Sequence, residues 1–113
     1  MVERGDVWWV DFGTPAGSEP GFMRPGVVIS SGRFNRSRIS TVTVVAVTSQ
    51  MRWAEAPGNV ELKAGAAGLS KDCVVNVSQV MTIDRRQLVE RLGTLDMIAM
   101  HKVDQGLRLA LAL

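Results

Sequence analysis

Through most of the chain apolar and β-branched residues come in short, strand-length runs broken by Gly, Pro, Ser and Asn, and only the last stretch changes to a helical period. Residues 4–12 read as a strand, with Trp8, Val10 and Phe12 on one face and Val7, Trp9 and Asp11 on the other. Residues 13–23 form a Gly- and Pro-rich loop. A second strand over 25–30 carries Pro25 at its start, where a missing N–H is tolerated. Residues 32–40 are a polar, basic connection, and 41–49 are the clearest strand, dominated by β-branched Thr and Val. A loop over 50–58 carries Arg52 and Trp53. Shorter strands follow at 59–63 and 72–77, separated by a Gly/Ala-rich turn, and two more at 80–83 and 88–92, around a turn or short helix at Asp84-Arg85-Arg86. Asp96 is placed to cap a terminal helix whose Met100, Val103, Leu107 and Ala110 share a face, while Lys102 and Gln105 look outward. Many short strands and then one helix predict a mainly β (α+β) fold: a small, strongly twisted antiparallel sheet or barrel with the helix packed on it.

The 113 residues are expected to form one domain, with an ordinary balance of 46% apolar and 21% charged residues. Glu3, Arg4 and Asp6 interrupt any signal-like start, and no apolar run is long enough to span a membrane, so a cytoplasmic protein is expected. Cys73 is the single cysteine, which excludes an intramolecular disulfide, and its place at a strand start reads as a small buried hydrophobe. One His and one Cys far apart make no metal-ligand spacing, so no metal or other cofactor is expected. The net charge is only +2, but ten of the thirteen basic residues are Arg, and Arg24, Arg33, Arg36, Arg38 and Arg52 all fall in the first half. Guanidinium groups suit phosphate and base stacking, yet the same residues would serve a solvated surface, and charge alone does not choose.

The stretch from Gly17-Ser18-Glu19 through Arg24-Pro25 into Val27-Val28-Ile29 carries the candidate chemistry. RNA is cleaved when its 2′-hydroxyl attacks the adjacent phosphorus: a base takes the 2′ proton, an acid supplies the leaving 5′-oxygen, and donors stabilise the phosphorane. The only histidine, His101, falls on the polar side of the last helix, so Arg and Thr must carry more of the load. Arg24 can grip a phosphate through two N–H groups, and Pro25 restricts the Arg24 backbone to an extended form. Thr48 closes a strand where its hydroxyl could meet the same phosphate, and Glu19 is the nearest loop carboxylate. Phe22 and Trp53 are candidate stacking surfaces for bases, with core or interface packing as the alternative.

In order and spacing the opening Arg-Gly-Asp-Val-Trp strand, Gly-Ser-Glu, Arg-Pro-Gly-Val-Val-Ile-Ser, and the Val-rich strand closing on Thr-Ser resemble the MazF/PemK family of toxin endoribonucleases. The resemblance extends through residues 72–83 and Leu92-Gly93-Thr94-Leu95, nearly the whole chain. It implies the small SH3-like barrel with a C-terminal helix shared by MazF, PemK and CcdB. It also implies metal-independent, sequence-specific cleavage of single-stranded RNA. Arg24 would stabilise the phosphorane and act as acid, Thr48 would sit beside it, and Glu19 corresponds to a base used in some members. Gln79 matches a base-contacting position, Ser78 replaces a frequent acidic residue, and Ser49, Arg52, Trp53 and Phe22 complete the expected RNA contacts. The family further implies a symmetric homodimer and a cognate antitoxin whose acidic tail covers the groove. A CcdB-like toxin that binds DNA gyrase is the competing reading, because the chain ends Leu109-Ala110-Leu111-Ala112-Leu113.

Overall fold

The computed structural model describes residues 1–18 and 21–113; Glu19 and Pro20 lie outside the described residues. Six strands form one sheet: β1 (Asp6–Asp11), β2 (Met23–Val28), β3 (Thr41–Thr48), β4 (Val60–Leu62), β5 (Cys73–Asp84) and β6 (Leu88–Thr94). The helices are a single turn, α1 (Gly32–Asn35), and the terminal α2 (Met97–Leu111). The strand order is β4-β5-β3-β2-β1-β6, and every pairing is antiparallel.

Two apolar clusters lie on opposite faces of this curled sheet. One gathers Val7, Val27, Val45, Val47, Val75 and Val77 beneath Val103 and Leu107 of α2. The other gathers Val10, Phe12, Val28, Val42, Val44, Ala46 and Ile83, with Trp8 packed against it. The central strand β3 feeds both, which explains its unbroken Val44-Val45-Ala46-Val47 run instead of a polar-apolar alternation. Trp9, the other half of the tryptophan pair, is half-buried on the opposite face from Trp8.

Residues 72–77 and 80–83, expected as two strands, belong to the single strand β5. The break in the hydrophobic pattern is a large bulge. Val45 pairs with Val80 and Val47 with Val75, so residues 76–79 stand opposite Ala46 alone. Asn59 holds the bulge: its Oδ1 accepts from the Val77 N–H at 2.9 Å, and its Nδ2 donates to the Trp53 carbonyl at 2.9 Å. β2 begins at Met23, two residues earlier than expected, so Pro25 lies within it. The expected face of α2 is half right: Val103 and Leu107 are buried, but Ala110 is exposed, and the buried position between them is Gly106. A Cβ at Gly106 would stand 2.0 Å from the Gly58 carbonyl oxygen, so helix and loop meet backbone to backbone.

The opening Arg-Gly-Asp signature is structural. Asp6 is 1% exposed and accepts from the Glu3 N–H, Trp8 Nε1 and Thr94 Oγ1, with Arg91 Nε 3.3 Å away. Those contacts fasten the start of β1 to β6, and a buried carboxylate needs that many partners. Arg4 donates to the Ile29 carbonyl and pairs with Asp104 at 2.7 Å, tying the N-terminal segment to α2.

The Gly/Ala-rich connection between β4 and β5 closes the sheet. It leaves one edge strand and packs its short helical turn, Ala66–Gly68, against the other edge strand, β6. At Gly68 φ is +77°, and a Cβ there would stand 2.0 Å from the Leu92 carbonyl oxygen; at Gly93 a Cβ would stand 2.5 Å from the Ala67 carbonyl carbon. Gly65 in the same connection has φ of +95° but open space around it. Gly65→Ala should therefore cost about 1–2 kcal/mol, the strain of a left-handed backbone alone. Gly68→Ala adds overpacking against backbone and should cost about 3–5 kcal/mol. Urea denaturation of both variants measures the difference, and equal losses would contradict the closure.

Candidate active site

An open cleft of about 550 Å³ lies where β2 begins and β3 ends, under the β4–β5 connection. Backbone chemistry opens it there. Ile29 donates its N–H to the Thr43 carbonyl, and alternate pairs along the β2–β3 ladder are hydrogen-bonded, so Pro25 and Val47 would form the next such pair beyond Val27 and Val45. Pro25 has no N–H to give, and the ladder stops at Gly26. Extending its register by two residues sets Arg24 beside Thr48, and both line the cleft with Ser49 and Gln50.

Arg24 is half-buried, and among the described residues no carboxylate lies within ion-pair distance of its guanidinium. Arg24 itself lines the cleft. The Thr48 hydroxyl oxygen accepts from the Gln50 N–H at 3.1 Å, which fixes the rotamer and leaves the hydroxyl proton to donate. The opposite wall is formed by residues 68–71 of the connection, with Trp9, Glu90 and Leu92 alongside. Lys71 and Glu90 were not legible as site residues, because only closure of the sheet brings them to Arg24. Two cations and one carboxylate thus line the described cleft, a balance suited to one phosphate.

The remaining candidates stand around this centre. Phe22 is 64% exposed and has a positive φ of 60°, a conformation rare for a bulky residue. It is held there because its N–H donates to the Gly13 carbonyl and its carbonyl accepts from the Phe12 N–H. Gln79, in the β5 bulge, donates from Nε2 to the Ser18 carbonyl at 3.3 Å, so the bulge supports the loop that leads to Glu19. Glu19 itself lies outside the described residues. Ser78 is exposed, but both its N–H and hydroxyl turn back to Asn76 Oδ1. Trp53 is 42% exposed, and the Arg52 guanidinium lies 5.3 Å from its ring centroid, so one ring face already carries a cation. Arg52, Trp53, Ser78 and Phe22 do not line the cleft. His101 is exposed on α2.

Cys73 also borders the cleft but is 4% exposed, and its Sγ donates to the Lys71 carbonyl. Burial pushes its thiol up from the ordinary value, against a smaller downward pull from Lys71 and with a small upward push from Asp72. The thiolate is the reactive form, so native Cys73 should be alkylated by iodoacetamide at neutral pH much more slowly than the urea-unfolded chain. Equal labelling rates would show an accessible, activated thiol instead.

Among the described residues no helix is long and apolar enough to cross a membrane, and no group of three or more His, Cys, Asp or Glu could hold a metal ion. Residues 3–111 match the family of PemK-like, MazF-like toxins of type II toxin-antitoxin systems. Endoribonuclease MazF6 of Mycobacterium tuberculosis is 41% identical over 113 residues, covering 100% of this chain and 99% of that protein. Endoribonuclease EndoA of Bacillus subtilis is 39% identical, covering 100% and 97%. The crystal structure of MazF from Deinococcus radiodurans superposes with a TM-score of 0.83 at 26% identity, over 99% of this chain and 97% of that one. A mycobacterial endoribonuclease in complex with its cognate antitoxin has the same fold, with a TM-score of 0.80 at 24% identity, over 100% and 97% of the two chains. With its six-stranded curled sheet, its terminal helix and a full-length match, this chain belongs to the PemK-like, MazF-like toxin family of type II toxin-antitoxin systems.

Proposed function

We propose that the chain is a toxin endoribonuclease, one domain over residues 1–113, that cleaves single-stranded RNA at a short sequence without a metal ion. The observation that carries the reading is that Arg24, with no ion-pair partner among the described residues, lines the same cleft as Thr48 where the β2–β3 ladder stops at Pro25. The relatives named as endoribonucleases support the reaction class.

In the proposed reaction the 2′-oxygen forms a bond to the neighbouring phosphorus as the bond from phosphorus to the 5′-oxygen breaks. The 2′ proton passes to a base, and a proton reaches the departing 5′-oxygen. The products are a 2′,3′-cyclic phosphate and a 5′-hydroxyl, with no water consumed. Arg24 binds the non-bridging oxygens through its paired N–H groups, gains strength as charge builds on the phosphorane, and stands as acid. Thr48, with its lone pair engaged by Gln50, donates to the same phosphate. Glu19 is assigned as base. Phe22, Ser49, Arg52, Trp53, Ser78 and Gln79 are assigned to the flanking nucleotides, with Phe22 as an exposed ring fixed before RNA arrives.

The chain is further assigned to the cytoplasm as a homodimer with RNA across both subunits. A cognate antitoxin would neutralise it by laying an acidic segment over Arg24. The solved complex of a mycobacterial endoribonuclease with its antitoxin supports that partner class. The gyrase-binding alternative keeps one feature, since Leu109, Leu111 and Leu113 are exposed at the end of α2. The full-length match to endoribonuclease relatives favours the nuclease.

Purified protein incubated with a long mixed-sequence RNA in excess EDTA should produce new 5′-hydroxyl ends at one short motif. Arg24→Ala should lower the rate about 10²- to 10³-fold, the usual cost of removing one oxyanion donor. An Arg24→Ala protein that cuts at the wild-type rate would remove Arg24 from the mechanism.

A further inference from the structure

A second cationic surface stands at the far end of β3. From residue 20 to residue 54 the chain has no Asp or Glu, yet five of its ten arginines fall there. Arg24 belongs to the cleft and Arg52 stacks on Trp53. The other three, Arg33, Arg36 and Arg38, surround α1 and are exposed, and none has an ion-pair partner among the described residues. The turn that presents them is fixed from beneath. Asn35 is 3% exposed; its Nδ2 donates to the Ser30 carbonyl at 2.8 Å, and its Oδ1 accepts from the Ser30 hydroxyl at 2.7 Å. Ser31 Oγ accepts from the Phe34 N–H, which caps the turn.

Anchored in this way, the turn points apolar groups outward among the arginines: Phe34 is 59% exposed and Ile39 46%. Arg85 donates to the Phe34 carbonyl from the β5–β6 turn and adds another cation to the base of this turn. The nearest strand acid, Asp84, is taken by Arg86 at 3.1 Å and by the cap of its own turn. An exposed aromatic ring on a fixed backbone, among arginines with no ion-pair partner among the described residues, is the kind of surface that single-stranded RNA uses: guanidinium on phosphate, ring on base. Thr41 at this end and Thr48 at the cleft are the two ends of β3, so the surfaces stand about 23 Å apart along the strand.

We propose that the turn built on α1 is a second RNA-binding surface, which holds the phosphate backbone of the substrate strand away from the cleavage cleft. The identity of the polyanion rests on the nuclease reading; the existence of the site does not.

The test is binding of fluorescent polyuridylate to the Arg24→Ala chain over a series of KCl concentrations, with and without R33S/R36S/R38S. Each lost phosphate contact lowers the slope of log affinity against log salt by about 0.7, so the triple variant should lose about 2 from the slope and bind about tenfold or more weakly at low salt. Phe34→Ala should weaken binding with the slope unchanged. With Arg24 intact, the triple variant should cut a short RNA carrying only the cleaved motif at the parent rate. An unchanged slope overturns the proposal, and so does loss of cleavage on the short RNA, which would make the turn part of the first site. Unchanged RNA binding with weakened binding of polyglutamate would assign the surface to an acidic polypeptide and overturn it too. If the parent protein cleaves no RNA, the salt slope still reads the second surface, and only the nuclease reading falls.

Discussion

Backbone contact between the 66–68 turn and β6 is the constraint on which the rest of the structure depends. A six-stranded antiparallel sheet in the order β4-β5-β3-β2-β1-β6 has two edges, and among the described residues no ladder joins them. The β4–β5 connection spans that gap, and it can do so only because residues 68 and 93 carry no Cβ. Asp72 contributes from the same segment, accepting from the Ala64 N–H at 2.8 Å. Closure then places residues 68–71 over the ends of β2 and β3, which turns a sheet edge into a walled cleft. The buried Asp6 ties the start of β1 to β6, so the strand next to the closing edge is held from both directions.

Within that frame, Pro25 decides where the sheet opens. The usual argument against proline in a central strand is the lost donor. Here the lost donor ends the β2–β3 ladder at Gly26, two residues from Arg24, and the freed strand ends carry the arginine and the threonine. The same Pro25 limits the Arg24 backbone to an extended form, so one ring shapes both the gap and the side chain facing it. Across the bulge in β5, Gln79 supports the β1–β2 loop through Ser18, which links base-contacting candidates on one strand to the loop beside Arg24 on another.

Local patterns made most of this legible in the sequence. The β-branched run of β3, the Asp96 cap and the Gly-Pro loop over 13–23 each state their conformation through nearest neighbours. Arg24 and Thr48 could be paired because the order of short strands and the resemblance agreed. The illegible parts are long-range. Nothing near Lys71 or Glu90 places them beside Arg24, since sheet closure does it. The β5 bulge is set by Asn59, distant in sequence on the loop before β4, so the interruption at Ser78-Gln79 reads locally as a break between two strands. Gly106 is silent in a helical periodicity, because its role is to let Gly58 approach. The Arg-Gly-Asp start carried the resemblance without showing its purpose, because its arginine and aspartate are both spent on long-range structural contacts.

The central claim is that this cleft drives attack by the substrate's own 2′-hydroxyl, with Arg24 gripping the phosphate. The most direct measurement is single-turnover cleavage of two RNAs that share the mapped motif, one carrying a single 2′-deoxy nucleotide at the scissile position. The account predicts that the all-ribose strand is cut to a 2′,3′-cyclic phosphate while the deoxy strand stays intact although it binds equally well. Cleavage of the deoxy strand would contradict it, because the nucleophile would then have to come from elsewhere.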